Sequence, residues 1–254
     1  MYYLKILKDK MKYIATVEAR MTSSRLFGKV LMPAAGKPLL EHLVERLKLV
    51  PSLDGIVLAT TINKTDDILE KFANRVGISC YRGSEEDVMT RVIGAAEFAD
   101  ADIVVEITGD CPIIDPQIIE QTIRMFKSHQ VDYVSNNLIR SYPDGMDTQV
   151  FKLSTLKNSA SMTTDLLDHE HVTLHIRNHP DIFSCVQLVA PPALHWPDLG
   201  LTLDEPKDYE LIKKIIEYFY EDNPSFSCLD VIGLLDQRPD WVGINEGVIR
   251  KGDT

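Results

Sequence analysis

Three cations, Arg20, Arg25 and Lys29, fall within one short stretch, Ala19-Arg20-Met21-Thr22-Ser23-Ser24-Arg25-Leu26-Phe27-Gly28-Lys29. Arginine offers forked donors to phosphate oxygens and lysine a point charge, while serine and glycine let backbone N–H groups approach. Such a loop can wrap a polyphosphate; the plain alternative is a solvated turn. The Gly-x4-Gly-Lys-Ser/Thr and Gly-x-Gly-x-x-Gly spacings are both absent. A second group is Thr108-Gly109-Asp110-Cys111-Pro112-Ile113-Ile114-Asp115. Asp110 follows an apolar run, where a strand-end carboxylate can hold Mg²⁺. That ion takes one or two carboxylates and completes its shell with phosphates and water. The alternative for Asp110 is an ordinary turn aspartate. Asp115, just before Pro116, reads as a helix N-cap. A third group is Leu201-Thr202-Leu203-Asp204-Glu205-Pro206-Lys207-Asp208. There Asp204 either caps the helix that Pro206 opens or supplies a second carboxylate.

Four histidines, His169, His171, His175 and His179, crowd one region. On a continuous helix, the last three would share a face and suggest zinc. No carboxylate stands at a matching spacing, so a hydrogen-bonded structural role is the main reading.

The elements that must position these groups alternate between strand and helix patterns. Residues 13–17, 55–60, 78–81, 102–107 and 131–134 read as strands. Helices are expected from Pro38 to Lys48, from Thr65 to Gly77, from a Ser84 cap to about Phe98, and from Asp115 through Phe126. The alternation predicts a doubly wound, mostly parallel α/β sheet, which binds ligands beyond the carboxyl ends of its strands. The second half is less regular. It should hold strands over 145–151 and 183–189, and helices over 168–178, 206–220 and 227–235. We expect one domain over 11–254, with a nucleotide-binding half at about 11–135 and an acceptor or dimer segment at about 142–197. Residues 1–10 read as an N-terminal extension, with Met11 an alternative start.

Composition narrows the function. A formal charge of -11 argues against general nucleic-acid binding, which needs a basic face. No apolar run approaches the length of a membrane span, and the N-terminus does not read as a signal peptide. Cys80, Cys111, Cys185 and Cys228 are widely spaced, which suits a reducing cytoplasm.

The order of motifs resembles the cytidylyltransferases that activate acidic sugars: the acylneuraminate and 3-deoxy-manno-octulosonate enzymes, and most closely the spore-coat polysaccharide protein F group. The similarity runs from about Tyr13 to Asn245. It comprises the cationic loop, Arg82-Gly83-Ser84-Glu85-Glu86-Asp87-Val88, Thr108-Gly109-Asp110-Cys111-Pro112, Tyr142-Pro143-Asp144-Gly145, Glu170-His171-Val172-Thr173 and Asp204-Glu205-Pro206. Phe27 stands where that family usually has proline. The resemblance implies a nucleotide-diphospho-sugar-transferase-like fold. It also implies transfer of CMP from CTP to a small anionic acceptor, with Mg²⁺ on Asp110 and Asp204. It places the nucleotide against Ala19, Arg20, Ser24, Arg25, Lys29, Arg82, Gly109 and Asp110, and the acceptor against Tyr142, Asp144, His171 and Arg177. Asp144 is equally a turn cap, and His171 a hydrogen-bonded structural residue. Arg140, Arg177 and His171 are the cations nearest the acceptor segment. A homodimer is expected, partly from the resemblance and partly from the apolar Met146, Val150, Phe151, Leu153 and Leu156. The rival readings are a nucleotide-sugar-dependent glycosyltransferase, whose Asp-x-Asp motif is poorly placed here, and a non-catalytic nucleotide-binding protein.

Overall fold

Parallel strands are covered on both faces and so read as apolar runs. The first such run becomes β1, Tyr13–Glu18, buried along almost its whole length. A computed structural model describes residues 11–248; the extension expected at residues 1–10 lies outside the described residues. A two-residue hairpin, β2 (Pro33–Ala34) and β3 (Lys37–Pro38), leads into α1, Leu39–Leu47. Then follow β4 (Gly55–Thr61), α2 (Asp67–Val76), β5 (Ser79–Gly83), α3 (Val88–Phe98), β6 (Ile103–Thr108) and α4 (Pro116–Ser128). The second half adds β7 (Tyr133–Ser135), β8 (Gln149–Lys152), α5 (Leu153–Met162), α6 (Leu166–Glu170), α7 (Leu174–Asn178) and β9 (Cys185–Gln187). It closes with α8 (Pro206–Phe219), α9 (Cys228–Gln237) and α10 (Pro239–Val242).

The seven-stranded sheet has the order β5-β4-β1-β6-β8-β7-β9. β1 pairs in parallel with both β4 and β6, and β8, alone among the described strands of the sheet, runs against its neighbours. From β1 the chain winds outward to β5 and then returns to β6 on the other side. The strand order therefore reverses at β1/β6, where an open α/β sheet forms its ligand crevice. One sheet face packs Ala15, Val17, Val105 and Ile107 against α1, α2 and α4. The other packs Ile14, Val57, Val104 and Phe151 against α3, α5 and α7. A third core, from Leu201, Leu203, α8 and α9, closes the end near the crevice.

Several local expectations change. Ser84 does not cap α3: Asp87 does, accepting from Thr90 N at 2.9 Å, while Ser84 Oγ holds Asp87 N. Asp66, the last residue of a 3-10 turn, replaces Thr65 at the start of α2. The single helix expected over 168–178 is two short helices, broken at residues 171–173 with Val172 at φ 47°. The break lets Thr173 Oγ1 reach Gln149 on β8. Of the residues expected at a dimer interface, Met146, Val150, Phe151 and Leu156 are fully buried in the chain's own cores, and Leu153 packs partly buried against one of them. The segment around 142–197 thus extends the sheet and covers one of its faces.

Candidate active site

The loop after β1 is held from beneath. Met21 N donates to Asp66 Oδ1 at 2.8 Å, and Asp66 Oδ2 accepts from Thr60 and Thr61. The loop folds back where Gly28 N reaches Met21 O at 2.9 Å, with Gly28 at φ 68°, a conformation that favours glycine. That turn sends Lys29 inward. Just after β6, Gly109 N donates to Glu18 O at 2.9 Å. A Cβ at Gly109 would stand 2.6 Å from that oxygen, so only glycine allows the two strand ends to meet this closely. Leu203 N donates to Asp110 O at 2.8 Å and draws the third motif alongside.

These restraints bring the three motifs together. Lys29 Nζ donates to Asp110 Oδ2 at 2.9 Å, Asp204 Oδ1 at 3.0 Å and Leu203 O at 2.5 Å. Arg25 Nη2 lies 2.6 Å from Asp204 Oδ1. Asp204 does not cap α8. Glu205 does, in a capping box with Asp208, whose Oδ2 accepts from the Asp204 and Glu205 N–H groups. Asn245 holds the other Asp208 oxygen at 2.7 Å. Asp208 and Asn245 thus orient Asp204, a role the sequence signalled only as the second acid of a four-residue spacing. Asp115 is the cap of α4, as its place before proline implied.

Electrostatics reinforce the arrangement. Burial alone would lower the Lys29 pKa, but the Asp110 and Asp204 carboxylates outweigh it and raise it. Burial alone would raise Asp110, and Lys29 with Thr108 holds it below the usual range. Two carboxylates and a carbonyl around one cation form an oxygen cradle that suits a hard divalent ion. Among the described residues no three His, Cys, Asp or Glu side chains converge to hold a metal. Such an ion would therefore rest on Asp110, Asp204 and substrate phosphates.

The remaining nucleotide-side residues divide. Arg20 Nη1 pairs with Glu85 Oε1 at 3.1 Å, and Glu85 also gathers Thr22 and Asn63. Ser24 is exposed on the loop and Ala19 is buried beneath it. Arg82 stands apart. It pairs with Asp67 at 2.7 Å and Glu70 at 3.1 Å on α2, and donates to the Thr61 and Asn63 carbonyls. Its guanidinium clamps β5 to the start of α2, so a nucleotide contact would compete with four existing partners.

The acceptor-side residues also separate. Asp144 is strapped to the 199–202 segment leading to Asp204: its N–H reaches Leu199 O at 2.9 Å, and Thr202 Oγ1 donates to its Oδ1 at 2.9 Å. Tyr142 instead lies in the third core, near Asp115 and Cys228. His171 is exposed at the helix break. His175 is buried and shares a hydrogen bond with Ser159, so the three histidines do not form the continuous face that suggested zinc. Arg177 faces Glu106 and leaves its buried Nε without a partner.

Glu106 and Glu18 escaped the sequence reading. They project from the same sheet face at the crevice ends of β6 and β1, in register with Thr16 and Thr108. Both Glu18 carboxyl oxygens and one of Glu106 are buried without partners. Burial pushes Glu18 well above the usual carboxylate range, helped by the charge of Glu106, and pushes Glu106 up to about 8 against the pull of Arg177. Burial and neighbouring Asp144 raise Asp147 to about 6. The available signal was a glutamate closing one apolar strand and a glutamate interrupting another.

Comparison with known proteins agrees with this geometry. A family model described as cytidylyltransferase matches residues 14–228. The spore coat polysaccharide biosynthesis protein SpsF of Bacillus subtilis is 35% identical over 229 residues, covering 88% of this chain and 94% of that protein. The 8-amino-3,8-dideoxy-manno-octulosonate cytidylyltransferase of Shewanella frigidimarina is 37% identical over 124 residues, 48% of this chain and 51% of that enzyme. A cytidylyltransferase structure from Leptospira borgpetersenii superposes with a TM-score of 0.88 at 30% identity, covering 95% of this chain and all of that one. The glycosyltransferase and non-catalytic readings give way to this match: the chain is a CTP-dependent nucleotidyltransferase and belongs to the cytidylyltransferase family.

Proposed function

We propose that the chain transfers CMP from CTP to a small anionic sugar, with Mg²⁺ and release of pyrophosphate, to supply surface polysaccharide synthesis. The observation that carries this reading is the convergence of Lys29, Asp110 and Asp204 from three distant segments at the strand-order reversal. An acceptor hydroxyl or phosphate oxygen forms a bond to the α-phosphorus in line as the bond to the bridging oxygen breaks. Such transfer needs mainly positioning and charge neutralisation. Arg20, Arg25 and Lys29 offset charge on the β- and γ-phosphates. Magnesium held by Asp110 and Asp204 would supply charge stabilisation at the α-phosphate.

Arg177 and Arg140 suit an acceptor carboxylate. The acids around them do not argue against an anion, because burial lifts Glu106 to about 8, which keeps it largely protonated at neutral pH, and raises Glu18 as well. A protonated carboxyl donates to sugar oxygens instead of repelling them. SpsF, by its name, and the Shewanella enzyme, by its octulosonate substrate, support a polysaccharide role and an acidic sugar. The free cysteines suit a reducing cytoplasm. We also propose a homodimer, on the exposed Met162, Leu166 and Leu167 at the α5–α6 turn.

Pyrophosphate release, measured with each nucleoside triphosphate against a panel of anionic sugars and neutral counterparts, tests the reading. CTP should support turnover with an anionic member and not with its neutral counterpart. Equal turnover of neutral sugars would overturn the anionic acceptor and leave the nucleotide chemistry standing.

A further inference from the structure

The same three oxygens that would receive a divalent ion hold the Lys29 ammonium. Asp110 Oδ2, Asp204 Oδ1 and Leu203 O lie 2.9, 3.0 and 2.5 Å from Nζ. Magnesium needs oxygens at roughly 2.0–2.1 Å in near-octahedral order. A second cation cannot share that space while Nζ remains. Charge leads to the same conclusion: Lys29 and Arg25 already balance the two carboxylates. A free divalent ion thus meets a neutral cluster and not an acidic one.

We propose that Lys29 is a stand-in for the divalent ion, closing the Asp110–Asp204–Leu203 cradle until nucleotide arrives. The inference rests on the reading of Asp110 and Asp204 as metal-holding residues, and adds the Leu203 carbonyl as a third oxygen. A triphosphate is the one substrate group able to attract Lys29 and Arg25 away. Once Lys29 turns to the phosphates, the carboxylates regain net negative charge and the cradle opens. The movement requires only the Lys29 and Arg25 side chains, because Gly28 and the Met21 carbonyl fix the backbone beneath Lys29. The divalent ion and the nucleotide therefore enter together, and the protein alone takes up little metal. Lys29 acts in two positions, first as a plug and then as a phosphate contact.

Mn²⁺ binding to the nucleotide-free protein, read from the spin-resonance signal of the free ion, tests this. Lys29→Met should bind one Mn²⁺ at least tenfold more tightly than wild type, and adding Asp204→Asn to that variant should abolish the gain. Equal Mn²⁺ affinity in wild type and Lys29→Met would overturn the plug while leaving Asp110 and Asp204 as metal ligands. If Lys29→Met takes up no Mn²⁺ and wild-type protein with CTP orders none beyond what CTP itself binds, the metal reading fails and the plug fails with it. Should Lys29→Met not fold, reductive methylation of wild-type Lys29, followed by peptide mass, decides. Mn²⁺ alone should leave its slow modification unchanged, and a rise would show that metal displaces the lysine unaided.

Discussion

Asparagine at position 110 or 204 keeps the shape of aspartate but removes its charge and turns one of its two acceptor oxygens into a donor. In the Lys29 cluster that charge serves both the resting ion pairs and the proposed metal. Asp110→Asn and Asp204→Asn should each lose several kcal/mol of transition-state stabilisation, about a hundredfold or more in kcat. Circular dichroism should show both folded; near wild-type kcat at saturating Mg²⁺ would reduce that residue to a structural one. Titration separates the site's groups. Asp110, held below its ordinary 3.8, contributes stability above that pH and loses it as pH falls through the lowered value. Lys29, raised from 10.5, contributes below that pH and loses it as pH rises through the raised value. Glu106 behaves oppositely to Asp110. Burial lifts it from 4.5 to about 8, so the folded state binds the extra proton and stability falls as pH climbs through that window. Glu106→Gln should flatten this decline in denaturant midpoints measured from pH 4.5 to 8. An unchanged slope would mean Glu106 ionises normally.

At the scale of elements, legibility followed how local each cause was. The α1 stripe of Leu39, Leu40, Leu43, Val44 and Leu47, the Asp115 cap and the proline start of α8 depend on neighbours in sequence, and the chain shows them directly. The break at residues 171–173 depends on Thr173 bonding a glutamine on another element, so no periodicity foretold it. β9 is shorter than its 183–189 run, because only Cys185–Gln187 keep ladder pairing with β7 while Phe183 turns into a core and Val189 into solvent. The site divides the same way. Strand-end placement pointed to Asp110, but its meeting with Lys29 and with Asp204, 175 positions from Lys29, is tertiary. The resemblance sets Arg82 against the nucleotide; its ion pairs to α2 are tertiary and not visible from spacing. The β1–β6 junction offers a test. Gly109→Ala would set a methyl against Glu18 O and pry the strand ends apart. Overpacking of this kind costs about 1–3 kcal/mol. Because Asp110 is the next residue, kcat should fall along with thermal stability, and a drop in stability with kcat intact would detach the junction from the site.

At the scale of the whole molecule, the Lys29, Asp110 and Asp204 cluster sits at the strand-order reversal, and one group of exposed apolar side chains lies on the α5–α6 turn. Leu166 is 84% exposed and lies beside Leu167 and Met162 on the α5–α6 turn. Light scattering at micromolar concentration should give a dimer, and Leu166→Asp with Leu167→Asp should give a folded monomer. A wild-type monomer with intact activity would end that proposal. The central claim, that the loop after β1 and the two aspartates form one triphosphate site, does not depend on the acceptor. Calorimetric titration of CTP with Mg²⁺ into wild type and Lys29→Ala tests it most directly. A charge-assisted contact to phosphate is worth about 1.5–3 kcal/mol, so Lys29→Ala should bind CTP roughly ten- to a hundredfold more weakly. Equal CTP affinity in the two proteins, or none in wild type, would contradict the account.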